Sequence, residues 1–351
     1  MAYTTINNPS AHFHTQLYTG TGSLNSVTND ANAGNFKPDW LYIKNRSAGW
    51  SGIVTDSTRG VNKSLFTPAT DAQITDNARG YVSAFNTDGF TVGAGSGGSD
   101  NVNTNNQNYV AWQWKANGGT TASNSDGTIT STVQANTTAG FSIISYTGNG
   151  TDGATIGHGL SATPEIFFPK CLSTATNWEM YYFPTGGTRQ YAYLNLTNQF
   201  STWSHNAPSS TIISLSGSGD SNGNGRSMIG YAFHSVKGYS KIGTYTGNAS
   251  TNGPFVYTGF SPAWVMAKNM ENATGWVIQD NKRSPFNVRN KRLFADVSDA
   301  ESTDSDFDFL SNGFKLKNSG NTPNKSGDVY IYMAFAQNPL VASNDVIALA
   351  R

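Results

Sequence analysis

The chain has 351 residues, and its 22 Lys+Arg balance its 22 Asp+Glu, so the formal net charge at pH 7 is zero. Only 13% of the residues are charged, about half of the usual ~25%. This composition excludes the basic surface typical of a nucleic-acid-binding protein, and no stretch approaches the ~18 apolar residues of a membrane-spanning helix. The 37 glycines and 12% aromatic residues instead predict strands joined by polar turns.

Residues 1–14 are expected to form an extended N-terminal arm. The arm has no basic stretch followed by an apolar core, so no secretory signal is visible, and the single cysteine, Cys171, excludes an intrachain disulfide. These features favour a protein made and assembled in a cytosol. Phe13 and Tyr3 are the apolar side chains through which the arm would dock on a partner.

The strand patterns that follow divide into three units, numbered here in chain order. Unit one covers residues 15–116, and residues 117–139 are expected to be a linker because Gly, Ser, Thr and Asn dominate them. A Thr-Ile-Thr-Ser-Thr-Val stretch in that linker is compatible with one edge strand. Unit two covers 140–237, unit three covers 238–340, and 341–351 form a C-terminal tail. Units two and three, joined directly, should be in firm contact, whereas unit one is expected to sit at its own angle.

Four sequence markers recur in the same order in each unit. They are a Tyr-Thr-Gly turn (18–20, 146–148, 245–247), a proline followed six positions later by a lysine (Pro38/Lys44, Pro164/Lys170, Pro262/Lys268), a tryptophan (Trp50, Trp178, Trp276) and a final β-rich run (109–114, 228–233, 330–335). A nearly continuous apolar run after each proline indicates a central strand covered on both faces. The pattern predicts an all-β chain: three tandem antiparallel β-sandwich domains, jelly-roll and concanavalin-like, from an internal triplication.

The recurring tryptophans allow two interpretations. Each ring fills the core of its own sandwich, which is the favoured interpretation, or it forms a platform on which a sugar ring stacks. Asp56 and Arg59 in unit one, and Asp280 and Arg283 in unit three, follow the tryptophans three positions apart. They are candidate glycan ligands, although Asp and Arg at this spacing more often form a structural ion pair.

Several patterns resemble catalytic or metal-binding motifs. Gly219–Gly223 matches G-x-S-x-G and residues 93–98 match G-x-G-x-x-G, but neither is followed by the helix that its chemistry requires. We therefore expect no enzyme and no cofactor.

Cation binding has only weak candidates. Asp220, Asn222 and Asn224 match the first half of a calcium loop, whose twelfth position here is Tyr231 instead of glutamate. A weak surface cation is the alternative to an ordinary polar loop, and no tightly bound metal is expected. The alternating Asp304, Asp306 and Asp308 are interpreted as a solvated strand face.

Three segments carry a resemblance to a known family: the opening MAYTTINNP, FDFLSNGFKL (307–316) and YIYMAFAQNPLV (330–341). With the three units, the chain resembles a virion protein of marine tailed bacteriophages, of the cyanophage and pelagiphage type, with repeated lectin-like β-sandwiches. The resemblance implies a tail-fibre or appendage protein of the virion surface, used in host attachment. The alternative is a capsid or tail decoration or connector protein.

The expected partners follow from that resemblance. They are other virion proteins, sister chains in a homo-oligomer, with a trimer favoured, and a host surface glycan. Nucleic acid and membrane insertion are not expected. The resemblance assigns no catalytic or ligand residues.

Overall fold

The computed structural model describes residues 4–30, 36–75, 78–97 and 102–341. Tyr3 and residues 342–351 of the predicted tail lie outside these ranges. The all-β prediction is confirmed: the only helices among the described residues are a 3-10 turn, Pro9–Ala11, and a four-residue α1, Asn321–Asn324. Neither is long and apolar enough to cross a membrane.

Twenty-seven strands make up the rest of the regular structure of the described chain. Those in the first unit are β1 (Phe13–Thr19), β2 (Asn25–Val27), β3 (Trp40–Asn45), β4 (Ile53–Asp56), β5 (Leu65–Phe66), β6 (Tyr81–Asn86), β7 (Gly89–Gly93) and β8 (Asn108–Trp114). Next come β9 (Ala122–Asn124), β10 (Ser131–Asn136), β11 (Phe141–Thr147), β12 (Thr155–Gly157), β13 (Ile166–Cys171), β14 (Glu179–Tyr182), β15 (Gln190–Tyr193), β16 (Ser201–Thr202), β17 (Ile212–Ser214) and β18 (Ser227–Phe233). The last are β19 (Ser240–Thr246), β20 (Phe255–Tyr257), β21 (Phe260–Asn269), β22 (Val277–Asp280), β23 (Lys291–Phe294), β24 (Ser302–Thr303), β25 (Phe307–Leu310), β26 (Gly313–Leu316) and β27 (Val329–Pro339).

Each unit contributes one large sheet and one small sheet, in which the paired strands are antiparallel. The large sheets run β1-β8-β3-β4-β5, β16-β15-β14-β13-β18-β11-β10-β9 and β19-β27-β21-β22-β23-β24. The small sheets are β2-β7-β6, β12-β17 and β20-β26-β25. The two sheets of a unit enclose an apolar core of that unit alone.

The opposite faces of the three large sheets meet in one central core. In β8, Trp112 and Trp114 point into this central core, whereas Tyr109 and Ala111 point into the core of unit one. Trp114 packs edge-on against Trp264 of unit three, with ring centroids 5.7 Å apart. This two-sided burial explains the unbroken apolar runs of the central strands β3, β13 and β21. The expectation that unit one sits at its own angle is therefore wrong, because it shares this core with both other units.

The predicted linker is largely structured. Its β10 pairs with β11 along the large sheet of unit two, and β9 pairs with β10. Val133 of β10 packs in the core of unit two. The buried side chains of Ser131, Val133 and Gln134 thus outweigh the polar composition of this segment. The strand that the sequence left open is present as β10, but the edge strand of the sheet is β9.

The N-terminal arm also belongs to the fold. Ile6 and Phe13 are each only 2% exposed and lie in the central core. The Phe13 ring packs against Trp114 at 4.8 Å and stacks on Phe335 at 5.1 Å. The Phe13 ring is therefore packed within this chain and does not project from the arm as an anchor, contrary to the expectation from sequence.

The repeated prolines occupy matching register positions but do not all precede a strand. Pro38 and Pro164 lie two residues before β3 and β13. Pro262 lies inside β21, at register shifts in the pairing with β27. Such an irregularity accommodates a residue without an N–H group inside a longer strand.

Candidate functional site at the junctions between units

The three repeated lysines join the units in a closed cycle. Lys44 of unit one donates to Val297 O of unit three at 2.6 Å, Lys170 of unit two to Thr70 O of unit one at 3.0 Å, and Lys268 of unit three to Thr197 O of unit two at 2.9 Å. All three side chains are fully buried. Burial, which disfavours the charged ammonium, lowers the pKa of each to about 8.

Two of the three candidate tryptophans are buried at the junctions. Trp178 and Trp276 are each 1% exposed, and their indole N–H groups donate to Phe66 O and Tyr193 O of the preceding unit at 2.9 and 3.0 Å. Neither ring is accessible to a sugar, so the core-filling interpretation applies to both, with the difference that the core is shared between units.

Trp50 does not occupy the corresponding position in unit one. Strand register places Gly52 there, because Ile53 pairs with Phe66 as Val277 pairs with Phe294. A Cβ atom at Gly52 would lie 2.6 Å from Cε2 of Tyr42, whose ring occupies this space. The idea that the three tryptophans share one position in the repeat is therefore wrong for Trp50, which is half-buried.

The Asp–Arg pairs are buried ion pairs, not exposed ligands. Arg283 Nε donates to Asp280 Oδ2 at 2.6 Å, and Arg59 Nε donates likewise to Asp56. Burial opposes ionisation of Asp280, but the charge and hydrogen bonds of Arg283 outweigh it and hold its pKa below the ordinary value. A neighbouring unit completes each pair, since Trp112 Nε1 donates to Asp280 at 3.0 Å and the Tyr231 hydroxyl donates to Asp56 at 2.8 Å.

One partly buried ion pair also crosses between units one and three. Arg46 of unit one makes a two-pronged contact with Glu301 of unit three, at 2.8 and 3.0 Å. Glu301 also accepts from Arg283 at 3.2 Å. The planar guanidinium matches the carboxylate geometry, which makes this a well-oriented contact.

The candidate cation loop is an internal hydrogen-bonded turn. Asn222 is fully buried, its Oδ1 accepts from the Asn149 backbone N–H at 2.9 Å, and its Nδ2 donates to Thr151 O at 2.9 Å. Asp220 accepts from the Asn177 backbone N–H at 2.8 Å, and Asn224 is exposed. Within the described ranges, no three or more His, Cys, Asp or Glu side chains are grouped as metal ligands would be.

The same turn recurs in all three units and explains the Tyr-Thr-Gly marker. The turn tyrosines Tyr18, Tyr146 and Tyr245 donate to the carbonyl groups of Val102, Ser221 and Pro323, each of which precedes a fully buried asparagine. Those asparagines, Asn103, Asn222 and Asn324, accept a backbone N–H from the turn that follows the tyrosine. The marker is thus a structural clamp.

Two further sequence candidates are buried as well. Ser221 of the G-x-S-x-G match has no exposed surface, and its hydroxyl lies 2.8 Å from that of Ser216. Asp306, expected on a solvated face, is fully buried, and burial outweighs the attraction of Arg292 and raises its pKa to about 7. The solvated-face interpretation is therefore wrong for this aspartate.

A cavity of about 450 Å³ lies where unit three meets unit one. Its lining combines apolar groups with amides, hydroxyls and one ammonium group: Asn8, Ser10, Phe13, His14, Thr15, Ala263, Asn281, Lys282, Pro285, Ala336, Gln337 and Asn338. Lys282 is paired with Asp30, so its charge is already balanced. The Thr15 hydroxyl is buried and has no hydrogen-bond partner among the described residues. The volume lies within the range of ligand pockets.

Sequence reasoning did not find this cavity. Its lining comes from residues on both sides of a junction that is not continuous along the chain, and most of its polar residues are ordinary Asn, Ser and Thr. The available signal was Ala263, which occupies the position held by Asp39 and Glu165 in the other two units and leaves space there.

The fold and the junctions define an all-β protein in which three pairs of antiparallel sheets surround one common core, with a cavity at one junction. The chain belongs to the family described as a domain of unknown function, DUF7483, whose model matches residues 8–339. No curated protein and no solved structure matches it.

Proposed function

We propose that the chain is a structural protein of a tailed bacteriophage virion, a tail fibre or appendage used in host attachment. The observation that supports this most is the use of buried charge. The junction lysines and the Asp–Arg pairs are consumed in bonds that hold three units into one body. Such an arrangement suits a rigid particle component that presents loops outward, and it leaves these groups unavailable for acid–base chemistry.

The finer architecture is part of the proposal. We infer that the units are three tandem jelly-roll sandwiches from an internal triplication. In support, the three lysines pair with corresponding residues of β8, β18 and β27, which are the last strands of the large sheets in chain order. These partners are Val110, Ile229 and Ile331. A structure of a relative with one or two such units, superposing on unit two, would test the inference. If the structures of relatives contain no sandwich of this kind as one or two separate units, the inference of an internal triplication is contradicted.

Location on the particle distinguishes attachment from decoration. Immunogold labelling of purified particles should mark a few copies at the tail, and antibodies against the chain should block adsorption to host cells. Labelling spread over the capsid, with adsorption unchanged, would contradict attachment and favour a decoration protein.

The proposal includes no catalysis and an assembly of several chains. Incubation with host envelope polysaccharide should release no reducing ends, and turnover abolished by a single Asp or Glu substitution would overturn this part. Near-zero net charge offers little repulsion between copies, and light scattering on the purified chain should give three chain masses. A monomer would remove the trimer from the proposal.

A further inference from the structure

The cavity between units three and one has a filled counterpart between units one and two. Strand register relates them, because Trp264 pairs with Phe335 and Asp280 as Trp40 pairs with Trp114 and Asp56. The cavity residues Ala263, Asn281, Lys282 and Asn338 therefore correspond to Asp39, Ser57, Thr58 and Asn117. The filled site shows what chemistry this position takes.

Gln134 of β10 fills the counterpart and is fully buried there. Its side-chain amide nitrogen, Nε2, donates to Ser57 Oγ at 3.0 Å and to Thr58 Oγ1 at 2.8 Å. Its Oε1 accepts from the backbone N–H groups of Asn117 and Gly119 at 3.2 and 2.8 Å. A carboxamide on an added strand thus seals the junction between units one and two.

The added strand is missing from the other junction, as far as the described residues show. In unit two, β10 lies beside β11 and places Gln134 opposite Ile143. In unit one, the sheet order ends at β1. Thr15 takes the position of Ile143, since it pairs with Trp112 as Ile143 pairs with Tyr231. Thr15 lines the cavity, so the strand that would correspond to β10 would lie beside this residue.

The described chain of unit three does not turn toward β1. After β8, unit one continues into the segment that carries β10, whereas β27 runs on beside β21 as far as Pro339. The next residue, Leu340, donates its N–H to Gly259 O of its own unit. Phe286, which follows the cavity residue Pro285 in the chain, is 71% exposed and offers apolar surface to an incoming chain.

We propose that β1 and the cavity accept an extended strand from a partner polypeptide, which pairs antiparallel with β1 and inserts a glutamine or asparagine side chain. The strand gains backbone hydrogen bonds from the sheet edge, and the carboxamide gains the polar lining. The Lys282 ammonium is already paired with Asp30, so the inserted side chain is neutral. This docking site follows from the geometry alone and does not depend on the role in host attachment.

The test uses the strand that the chain already provides. A fluorescein-labelled peptide of residues 129–138 (ITSTVQANTT) is titrated with the full-length protein and followed by fluorescence anisotropy. We expect saturable binding of one peptide per chain. The peptide with Gln134→Ala should bind at least about tenfold more weakly, since it lacks the carboxamide.

Two protein variants locate the binding. Asn281→Trp places an indole in the cavity and should abolish binding, whereas Asn198→Trp, at an exposed position of unit two, should leave it unchanged. Circular dichroism of both variants verifies that they fold.

Three results would overturn the inference. They are no binding at millimolar peptide, equal binding of the two peptides, and binding that Asn281→Trp leaves intact. Binding that appears only after residues 342–351 are removed would assign the groove to this chain itself and would likewise reject a partner strand.

Discussion

At the residue scale, the sequence identified positions but not their partners. The turn tyrosines recur visibly in the sequence. The asparagines that complete their clamps lie far along the chain, each six residues before the final β-rich run of its unit, among other polar residues that hide them. Of the two interpretations of Trp178 and Trp276, core filling applies and sugar stacking does not, although the core is shared between units. Their acceptors, Phe66 O and Tyr193 O, belong to other units, and no local pattern could reveal them.

The clamp predicts different effects for two asparagines of one loop. Asn222→Ala removes a buried amide and leaves the Asn149 N–H without its acceptor, so we expect it to lower the free energy of unfolding by about 1–3 kcal/mol. Asn224→Ala, at an exposed position, should change it by less than about 0.5 kcal/mol. Urea unfolding measures both. Equal losses, or a calcium-dependent gain of stability in the wild type that Asn222→Ala removes, would contradict the structural role.

Asp306 predicts a pH dependence. Its pKa of about 7 in the folded protein lies above its ordinary 3.8, so the folded state binds more protons between these values. The stability that this carboxyl contributes is complete below pH 4 and is lost as the pH rises through 7. Asp306→Asn stays neutral, so its stability relative to wild type should improve between pH 4 and pH 8.

The more exposed Asp304 provides the control for that measurement. Asp304→Asn should not reproduce the same pH-dependent gain, because its carboxyl is 40% exposed whereas that of Asp306 is fully buried. The free energy of unfolding of each protein is measured in urea between pH 4 and pH 8. If the difference in this free energy between wild type and Asp306→Asn stays constant across the range, the Asp306 carboxyl is ionised throughout.

At the element scale, the central strands were predictable and the linker was not. Apolar runs behind Pro38, Pro164 and Pro262 carry a strong strand signal. In β10, by contrast, Gln134 occupies an inward position that an apolar residue would normally mark. A polar residue satisfied by four hydrogen bonds, two of them to Ser57 and Thr58 of unit one, looks in sequence like part of a loop.

The junction lysines predict a stability difference that grows with pH. Lys170→Met removes the donor to Thr70 O and Thr176 O and should cost about 1–3 kcal/mol near neutral pH. Burial lowers the pKa of Lys170 to about 8 from its ordinary 10.5, so the unfolded chain binds more protons between these values. The wild type therefore gains stability from pH 8 to pH 10, and the variant does not.

Lys63→Met, at a partly exposed position, is the matched control and should show no such growth with pH. Unfolding by urea at pH 8, 9 and 10 would measure all three proteins. A difference in free energy of unfolding between wild type and Lys170→Met that does not grow over this range would indicate that the ammonium stays charged in the folded protein.

At the scale of the whole molecule, three sheet pairs were foreseen but their closure into a ring was not. The final β-rich run of unit one, 109–114, is expected from the sequence inside that unit's own sandwich, and it forms β8 of the large sheet. Both faces of that sheet are in fact inside, one within the unit and one between units. A sequence gives the period of a strand but not what lies beyond each face.

The shared core predicts one cooperative unfolding transition. Because each large sheet buries its inner face only against the other units, the loss of one unit exposes apolar surface of the remaining two. Scanning calorimetry should give a single peak whose calorimetric and van't Hoff enthalpies agree. Separate peaks, or a folded and soluble fragment of residues 140–237, would show that the units are independent.

The buried aspartates determine the order in which units can stand side by side. Trp112 of unit one donates a hydrogen bond to Asp280 of unit three, and Tyr231 of unit two donates one to Asp56 of unit one. At the matching positions of the remaining junction stand Met333, which has no hydrogen to donate, and Tyr182, which carries no charge. A ring assembled in another order would set a buried carboxylate against methionine, which is costly. The buried hydrogen bonds therefore select one cyclic order of the three units. In this respect the chain resembles a heterotrimer with three distinct interfaces, in which no two subunits can exchange positions.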